Sequence, residues 1–159
     1  LTELNQLRQF IAQQNWHSAS QIDIEQQLQL LYHYNFIGRL QYSLRTASHQ
    51  LAQLNQLTET KAASALCPQQ RDSEQLHILA NVFSKYFVGE IQLYTSELSR
   101  YQQQLWPLLQ KLYQDTELNT PLTLRFEYTF GEMRTELSRH VKWWQALNNQ
   151  CPLKLTAQQ

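Results

Sequence analysis

A long stripe of apolar residues constrains the fold of this chain more than any other feature of its sequence. Within residues 23–57, apolar side chains recur mostly at steps of three and four, at Leu28, Leu31, Ile37, Leu40, Leu44, Ala47, Leu51 and Leu54. This spacing aligns them along one side of an α-helix and is typical of helices that pack lengthwise against a partner. Asp23 precedes the stripe as a candidate N-cap. The sequence therefore predicts one long helix over residues 23–57.

A second stripe predicts another long helix further along the chain. Residues 58–71 are interpreted as a loop, after which Asp72 or Ser73 can cap a helix. The apolar positions of this helix are Leu76, Leu79, Phe83, Phe87, Ile91, Tyr94, Leu98, Tyr101 and Leu105. We expect Pro107 to end or kink it, because proline lacks the amide hydrogen of a helical bond.

A third stripe predicts a long helix near the C-terminus. Thr120 is a candidate N-cap with Pro121 at the first helical position. The stripe follows at Phe126, Phe130, Met133, Leu137, Val141, Trp144 and Leu147. Cys151 and Pro152 then end the helix.

The remaining sequence completes a prediction of fold class. Leu4, Leu7 and Ile11 indicate a short first helix, and residues 16–20 are interpreted as a connection. Only 3 glycines and 4 prolines interrupt 159 residues, and no alternating pattern typical of strands occurs. We expect an all-α antiparallel helical bundle, with three long helices and one or two short ones. Residues 1–150 should form this single domain, with a frayed tail at 151–159.

Composition limits the classes of partner and compartment. The formal net charge is +0, so no overall basic field attracts nucleic acid. No apolar run approaches the roughly 20 residues needed to cross a bilayer. Cys67 and Cys151 are the only cysteines, which excludes a disulfide-dense secreted scaffold. Because no secretion signal is recognisable either, we expect a cytoplasmic monomer that is not attached to a membrane.

Signs of catalysis or metal binding are weak. Nucleophile elbows and glycine-rich phosphate loops are missing from the sequence. Glu74 and His77 have the spacing of a di-iron helix, but a second such pair does not occur. Glu132, Glu136 and His140 follow one another at steps of four, which suits an exposed polar stripe better than a cation site. We therefore expect no catalytic residues, no metal and no cofactor, and a ferritin-like enzyme is the third hypothesis in rank.

A basic and aromatic surface on the last helix is the main candidate site. Its proposed members are Arg125, Phe126, Phe130, Arg134, Arg139, Lys142 and Trp143. Arginine beside an aromatic ring binds acidic peptide tails or single-stranded bases. A secondary basic face contains Arg39, Arg45 and His49. The alternative is a solvated helix face on which Glu127, Glu132 and Glu136 balance the cations.

A family resemblance agrees with this choice of surface. The pattern Phe126-Glu127-x-x-Phe130-x-x-Met133 resembles the aromatic-Glu-Arg-Arg-Leu-x-x-Met signature of the primosomal replication protein N'' (PriC) family. Tyr128 stands where that signature begins its Arg-Arg pair. Three more segments are similar to the family in the same order, at residues 43–54, 90–98 and 111–115.

The resemblance implies a non-enzymatic factor for DNA replication restart. Such a factor would bind forked or single-stranded DNA, the acidic tail of single-stranded DNA-binding protein, and the replicative helicase. The alternative is a helical scaffold or protein-interaction module that does not bind nucleic acid. Salt-dependent DNA binding would favour the first hypothesis, and a stable assembly without DNA affinity the second.

Overall fold

The computed structural model describes residues 2–33, 35–60, 66 and 74–151, and its regular structure there is helical throughout. Seven α-helices and one π-helical segment are described in chain order: α1 (Thr2–Ala12), α2 (Trp16–Ser20), α3 (Ile24–His33), α4 (Phe36–Glu59), α5 (Glu74–Val82), the π-helix (Phe83–Gln92), α6 (Leu93–Tyr113) and α7 (Asn119–Gln150). The predicted all-α fold is confirmed.

The long helix expected over residues 23–57 is two helices, so that prediction is wrong in detail. Asp23 does cap the first of them, because its Oδ1 accepts a hydrogen bond from the amide of Gln26 at 2.9 Å. The break falls at Asn35, which has φ 43° and ψ 40°. Asparagine tolerates this left-handed conformation better than most residues, and a single left-handed residue is enough to change the helix direction.

Residues 74–113 form one continuous helical rod made of α5, the π-helix and α6. Contrary to expectation, α6 does not end at Pro107 but continues to Tyr113. The proline side chain is exposed, so water can satisfy the carbonyl that loses its helical partner. The expected caps Asp72 and Ser73 lie outside the described residues.

Two smaller differences concern helix ends. Residues 16–20 form the short helix α2 instead of a connection, and the side chain of Asn15 accepts a hydrogen bond from the amide of Ser18. The last helix begins at Asn119, so Pro121 lies in its first turn, where a missing amide hydrogen costs little.

The three long elements run up, down and up, as the antiparallel bundle requires. Along α6 and α7 the contacts run in opposite directions, since Phe87 of the π-helix packs on His140 whereas Trp106 stacks on Phe126. Along α4 and α7 the contacting residue numbers increase in the same direction. Leu44 shares a core cluster with Phe126, and Glu59 pairs with Arg139. The first and last long helices are therefore parallel neighbours.

Two apolar clusters fill the bundle. One joins the first half of α4 with α6 and α7, and its buried members are Leu40, Leu44, Leu98, Leu105, Leu109, Phe126 and Met133. The other joins α5 and the π-helix with the end of α7, and its buried members are Leu76, Phe87, Trp144, Leu147 and Cys151. Cys151 is disulfide-bonded, and Cys67, the other cysteine of the sequence, lies outside the described residues. Residues 152–159, most of the expected frayed tail, also lie outside them.

A polar ridge interrupts the apolar interior of α4. Gln41, Ser48 and Asn55 are all buried and stand seven residues apart, at equivalent positions of the heptad. Gln41 donates to the side chain of Gln102 on α6 at 3.5 Å, and Asn55 bonds to α7. The inner side of α4 is thus polar at every second turn.

Candidate binding groove between α4 and α7

The basic surface expected on the last helix does not exist as one surface. Arg125 and Arg134 are both exposed, but the step of nine residues from one to the other makes about two and a half helical turns at 3.6 residues per turn. They therefore point to opposite sides of α7. Lys142 is exposed, about a quarter of a turn from Arg134 around the helix and two turns further along it. The prediction that these cations share one strip is wrong.

Arg139 is on the same helix but its charge is already compensated. Its guanidinium donates two hydrogen bonds to the Glu59 carboxylate and lies 3.5 Å from a carboxylate oxygen of Glu136. The hydrogen bond from Arg139 lowers the pKa of Glu59, and the same pairing raises the pKa of Arg139. This cation joins α4 to α7 and is not available to an anionic ligand.

The aromatic residues proposed for the same surface are packed inward to different degrees. Phe126 is buried and stacks on Trp106 at 5.1 Å between ring centroids, so its proposed role in ligand contact is wrong. Phe130 and Trp143 are half-buried and pack against the two core clusters. Arg134 covers the Phe130 ring at 5.6 Å, which leaves that pair as a local surface contact.

The secondary basic face is divided between a groove and the open surface. Arg45 and His49 are exposed on α4 and line a groove against α7, whereas Arg39 is exposed but lies outside it. The groove has a volume of about 840 Å³. Its other polar or aromatic lining residues are Tyr42, Thr46, Ser48 and Gln50 from α4, and Tyr128, Glu132, Thr135 and Glu136 from α7.

Side chains of opposite charge line the two walls of this groove. Arg45 and His49 stand on the α4 wall, and Glu132 and Glu136 on the α7 wall. Glu136 is held by Arg139, but Arg45 and Glu132 form no ion pair with each other or with any other residue that the structure describes. Glu132 accepts a hydrogen bond from Tyr128, and this bond together with the carboxylate charge raises the pKa of the phenol. The groove thus keeps one cation and one anion apart and exposed.

A buried hydrogen-bonded chain lies behind the α7 wall. Asn55 donates to the Glu136 carboxylate at 2.8 Å and to the Glu136 carbonyl at 2.9 Å. The Asn55 oxygen is 3.0 Å from His140 Nδ1, and Trp144 donates to His140 Nε2 at 2.9 Å. Burial lowers the pKa of His140, so the imidazole is held neutral. This chain fixes the position of Glu136 at the edge of the groove.

Gly131 leaves the middle of the groove open. A Cβ atom placed on this residue would have no neighbouring atom within 4 Å, apart from its own helix backbone. Close helix approach, the simple explanation of a glycine inside a helix, therefore does not apply here. Larger side chains at this position would extend into the groove without displacing the core.

The family of this chain is shown by a match to a family model. A family model described as protein of unknown function (DUF3080) matches residues 1–155. The chain belongs to the DUF3080 family. No curated protein and no solved structure matches it.

This affiliation overturns the resemblance to the PriC family. The DUF3080 match covers nearly the whole chain, whereas the PriC resemblance depended on short motifs. The structure explains why such motifs mislead. Phe126, Phe130 and Met133 are the inward positions of a bundle helix, and any helix with that packing side repeats the same spacing.

The described part of the DUF3080 chain gives little support to a metal centre. No group of three or more His, Cys, Asp or Glu side chains there is arranged to hold a metal ion. In the Glu132, Glu136 and His140 series, both imidazole nitrogens of His140 are engaged by Asn55 and Trp144. None of the described helices combines the length and the apolar character needed to cross a membrane.

Sequence reasoning missed most of the groove of this DUF3080 protein. Tyr42, Arg45 and His49 follow one another at steps of three and four, as do Tyr128, Glu132 and Thr135. Two polar series of that kind are a usable signal for two helix sides that share a groove. The sequence does not show that these two series line one groove, because that depends on the parallel arrangement of α4 and α7.

Proposed function

We propose that this DUF3080 chain is a non-enzymatic binding module whose ligand site is the groove between α4 and α7. The observation that carries this proposal is the pair of unpaired opposite charges, Arg45 and Glu132, on facing walls. Exposed opposite charges on neighbouring helices gain at most about 1 kcal/mol by pairing with each other. A groove that holds them apart retains both for a ligand.

Single-stranded or forked DNA is a poor match for this groove. Its lining includes one guanidinium, that of Arg45, and the carboxylates of Glu132 and Glu136 line the other wall. Nucleic-acid binding depends on several cations that displace counterions from phosphates. The carboxylates would repel the same phosphates, so the site favours a ligand that is not a polyanion.

The proposal can be tested on the full chain by recording backbone amide spectra during titration. Three pools serve as probes, made of short peptides, oligosaccharides and nucleotides. Amides of the groove should shift with at least one pool, and the shifts should be lost in Gly131→Phe, which fills the groove. Ser138→Phe, on an exposed part of α7 outside the groove, is the matched control and should keep them. Spectra in which no pool moves the groove amides would reject the proposal.

We also propose that the protein works in an oxidising compartment and not in the cytoplasm expected from its composition. The disulfide bond of Cys151 supports this, because such bonds are rare in proteins kept under the reducing conditions of the cytosol. Thiol alkylation of the denatured protein, taken directly from its native cells without reductant, tests it. No label should be incorporated before reduction, and full labelling would contradict the proposal.

A further inference from the structure

An exposed and mainly apolar series of residues runs along the helical rod. Ile78, Val82, Tyr86 and Tyr94 are 40% to 56% exposed, and with the exposed Glu90 they follow one another at steps of four. A step of four residues exceeds one turn of an α-helix and falls short of the wider turn of a π-helix. Because the series passes through both kinds of helix, the two deviations offset each other. The five residues therefore keep to one side of the rod, which we call the outer ridge.

We propose that two copies of this chain associate through the outer ridge, with their rods antiparallel. Contiguous apolar side chains that remain exposed mark interaction sites on soluble proteins. A two-fold axis near Val88 would cover the same ridge on both copies, as a self-complementary interface requires. This inference goes beyond the proposed binding function, because the groove is formed by α4 and α7 and the ridge by α5, the π-helix and α6.

The central charges of the ridge select a second copy in the antiparallel orientation. The Lys85 ammonium lies 5.0 Å from the centre of the Tyr86 ring, on the N-terminal side of Val88, and Glu90 lies on its C-terminal side. If the rods were parallel about a two-fold axis, Lys85 would meet Lys85 and Glu90 would meet Glu90. Reversal of one rod brings each Lys85 close to Glu90 of the other copy. The surface is therefore complementary to itself in this orientation alone.

Charges near the ends of the rod follow the same arrangement. Glu74 and Arg100 are both exposed and lie at nearly equal distances on either side of Val88. In the antiparallel pair, Glu74 of one copy approaches Arg100 of the other. Arg100 also pairs with Glu97 of its own helix at 3.7 Å, so the Lys85 and Glu90 contacts carry most of the charge selection.

The apolar contacts of this pairing are few, which sets the expected strength of the dimer. Val82 of one copy meets Tyr94 of the other, and the Tyr86 hydroxyl can donate a hydrogen bond to the opposite Glu90. A single pair of helices buries less than the roughly 1,600 Å² of a standard interface. We expect a reversible dimer with a dissociation constant on the order of 100 μM, in place of the monomer expected from composition.

Sedimentation equilibrium of the full chain tests the proposal by exchange of charges. Lys85→Glu and Glu90→Lys each create two like-charge contacts in the antiparallel dimer, and each should weaken it about tenfold. An equimolar mixture of the two variants should recover the wild-type association, because each variant supplies the charge that the other has lost. Both positions are exposed, so the helical content measured by circular dichroism should not change.

Matched controls carry the same kinds of substitution on α7. Lys142→Glu and Glu127→Lys change exposed charges away from the rod and should leave the dissociation constant unchanged. Val82→Ser removes an apolar contact from the ridge and should weaken the dimer about fivefold. Leu124→Ser, at an exposed leucine of α7, should have no effect.

Three outcomes would overturn the proposal. The first is a wild-type chain that remains monomeric at about 1 mM, well above the expected dissociation constant. The second is a dimer that Lys85→Glu and Glu90→Lys weaken no more than the controls do. The third is a mixture of these two variants that associates no better than either one alone. None of these results bears on the groove, whose test follows different amides.

Discussion

His140 accepts a hydrogen bond from Trp144 on its Nε2 atom, at 2.9 Å, in the buried interior of α7. Because the indole can only donate, the proton of the neutral imidazole must be on Nδ1. Nδ1 then donates to the oxygen of Asn55 on α4. The tautomer is therefore fixed by two partners. A second proton on Nε2 would point at the N–H group of Trp144 and abolish that hydrogen bond.

The stability of the protein should decrease as the pH falls below about 6.5, the ordinary pKa of histidine. Burial puts the pKa of His140 in the folded state below that of the unfolded state. Between the two values the unfolded chain binds more protons, so acidification favours unfolding. Denaturant unfolding at several pH values measures this. His140→Gln should flatten the decrease, and His49→Gln, at an exposed position, should not. An unchanged pH profile in His140→Gln would exclude the explanation.

Removal of the Asn55 side chain should be costly. Asn55→Ala deletes three hydrogen bonds and leaves the Nδ1 proton of His140 buried without an acceptor. We expect a loss of about 2–3 kcal/mol in the free energy of unfolding, measured by urea titration. Gln56→Ala, one residue further on the exposed side of α4, is the control and should change it by less than about 0.5 kcal/mol. Similar losses in both variants would show that the buried bonds are not the cause.

The pKa of Glu59 should report the contact between α4 and α7. A hydrogen bond from Arg139 holds this pKa below the ordinary value of 4.5. In Arg139→Gln it should rise toward 4.5, as followed by NMR titration of the side-chain carboxyl. Arg134→Gln removes an exposed cation from the other side of α7 and should leave it unchanged. High salt should reduce the difference between the first variant and wild type, because exposed charges are screened. A Glu59 pKa equal in all three proteins would mean that the contact does not persist in solution.

Gly38 and Asn35 should be energetically coupled. A Cβ atom on Gly38 would lie 2.5 Å from the Asn35 Oδ1 atom, so an alanine there forces the asparagine side chain to move. In an Asn35→Gly background, Gly38→Ala should stabilise α4 by about 0.5–1 kcal/mol. In the wild-type background the gain should be smaller or reversed. A double-mutant cycle based on thermal unfolding measures the coupling, and strict additivity would contradict it.

The sequence revealed the helices better than their junctions. Apolar residues at steps of three and four correctly predict the packing sides of α4 and α7. The break at Asn35 could not be predicted, since it depends on the backbone angles of one residue that is also acceptable inside a helix. The groove was only partly visible, because Arg45 and Glu132 line the same groove only once α4 and α7 lie parallel. Arg139 was misjudged for the same reason, as its partner Glu59 is remote in the chain.

Gln41, Ser48 and Asn55 have one more consequence, which concerns alternative alignments of the helices. If α4 slid along its neighbours by one heptad, apolar residues would still meet apolar residues, but Gln41 and Asn55 would lose the partners they now have. Buried amides without partners are expensive, so each shifted alignment is penalised at two places at once. The same two walls therefore always meet across the groove.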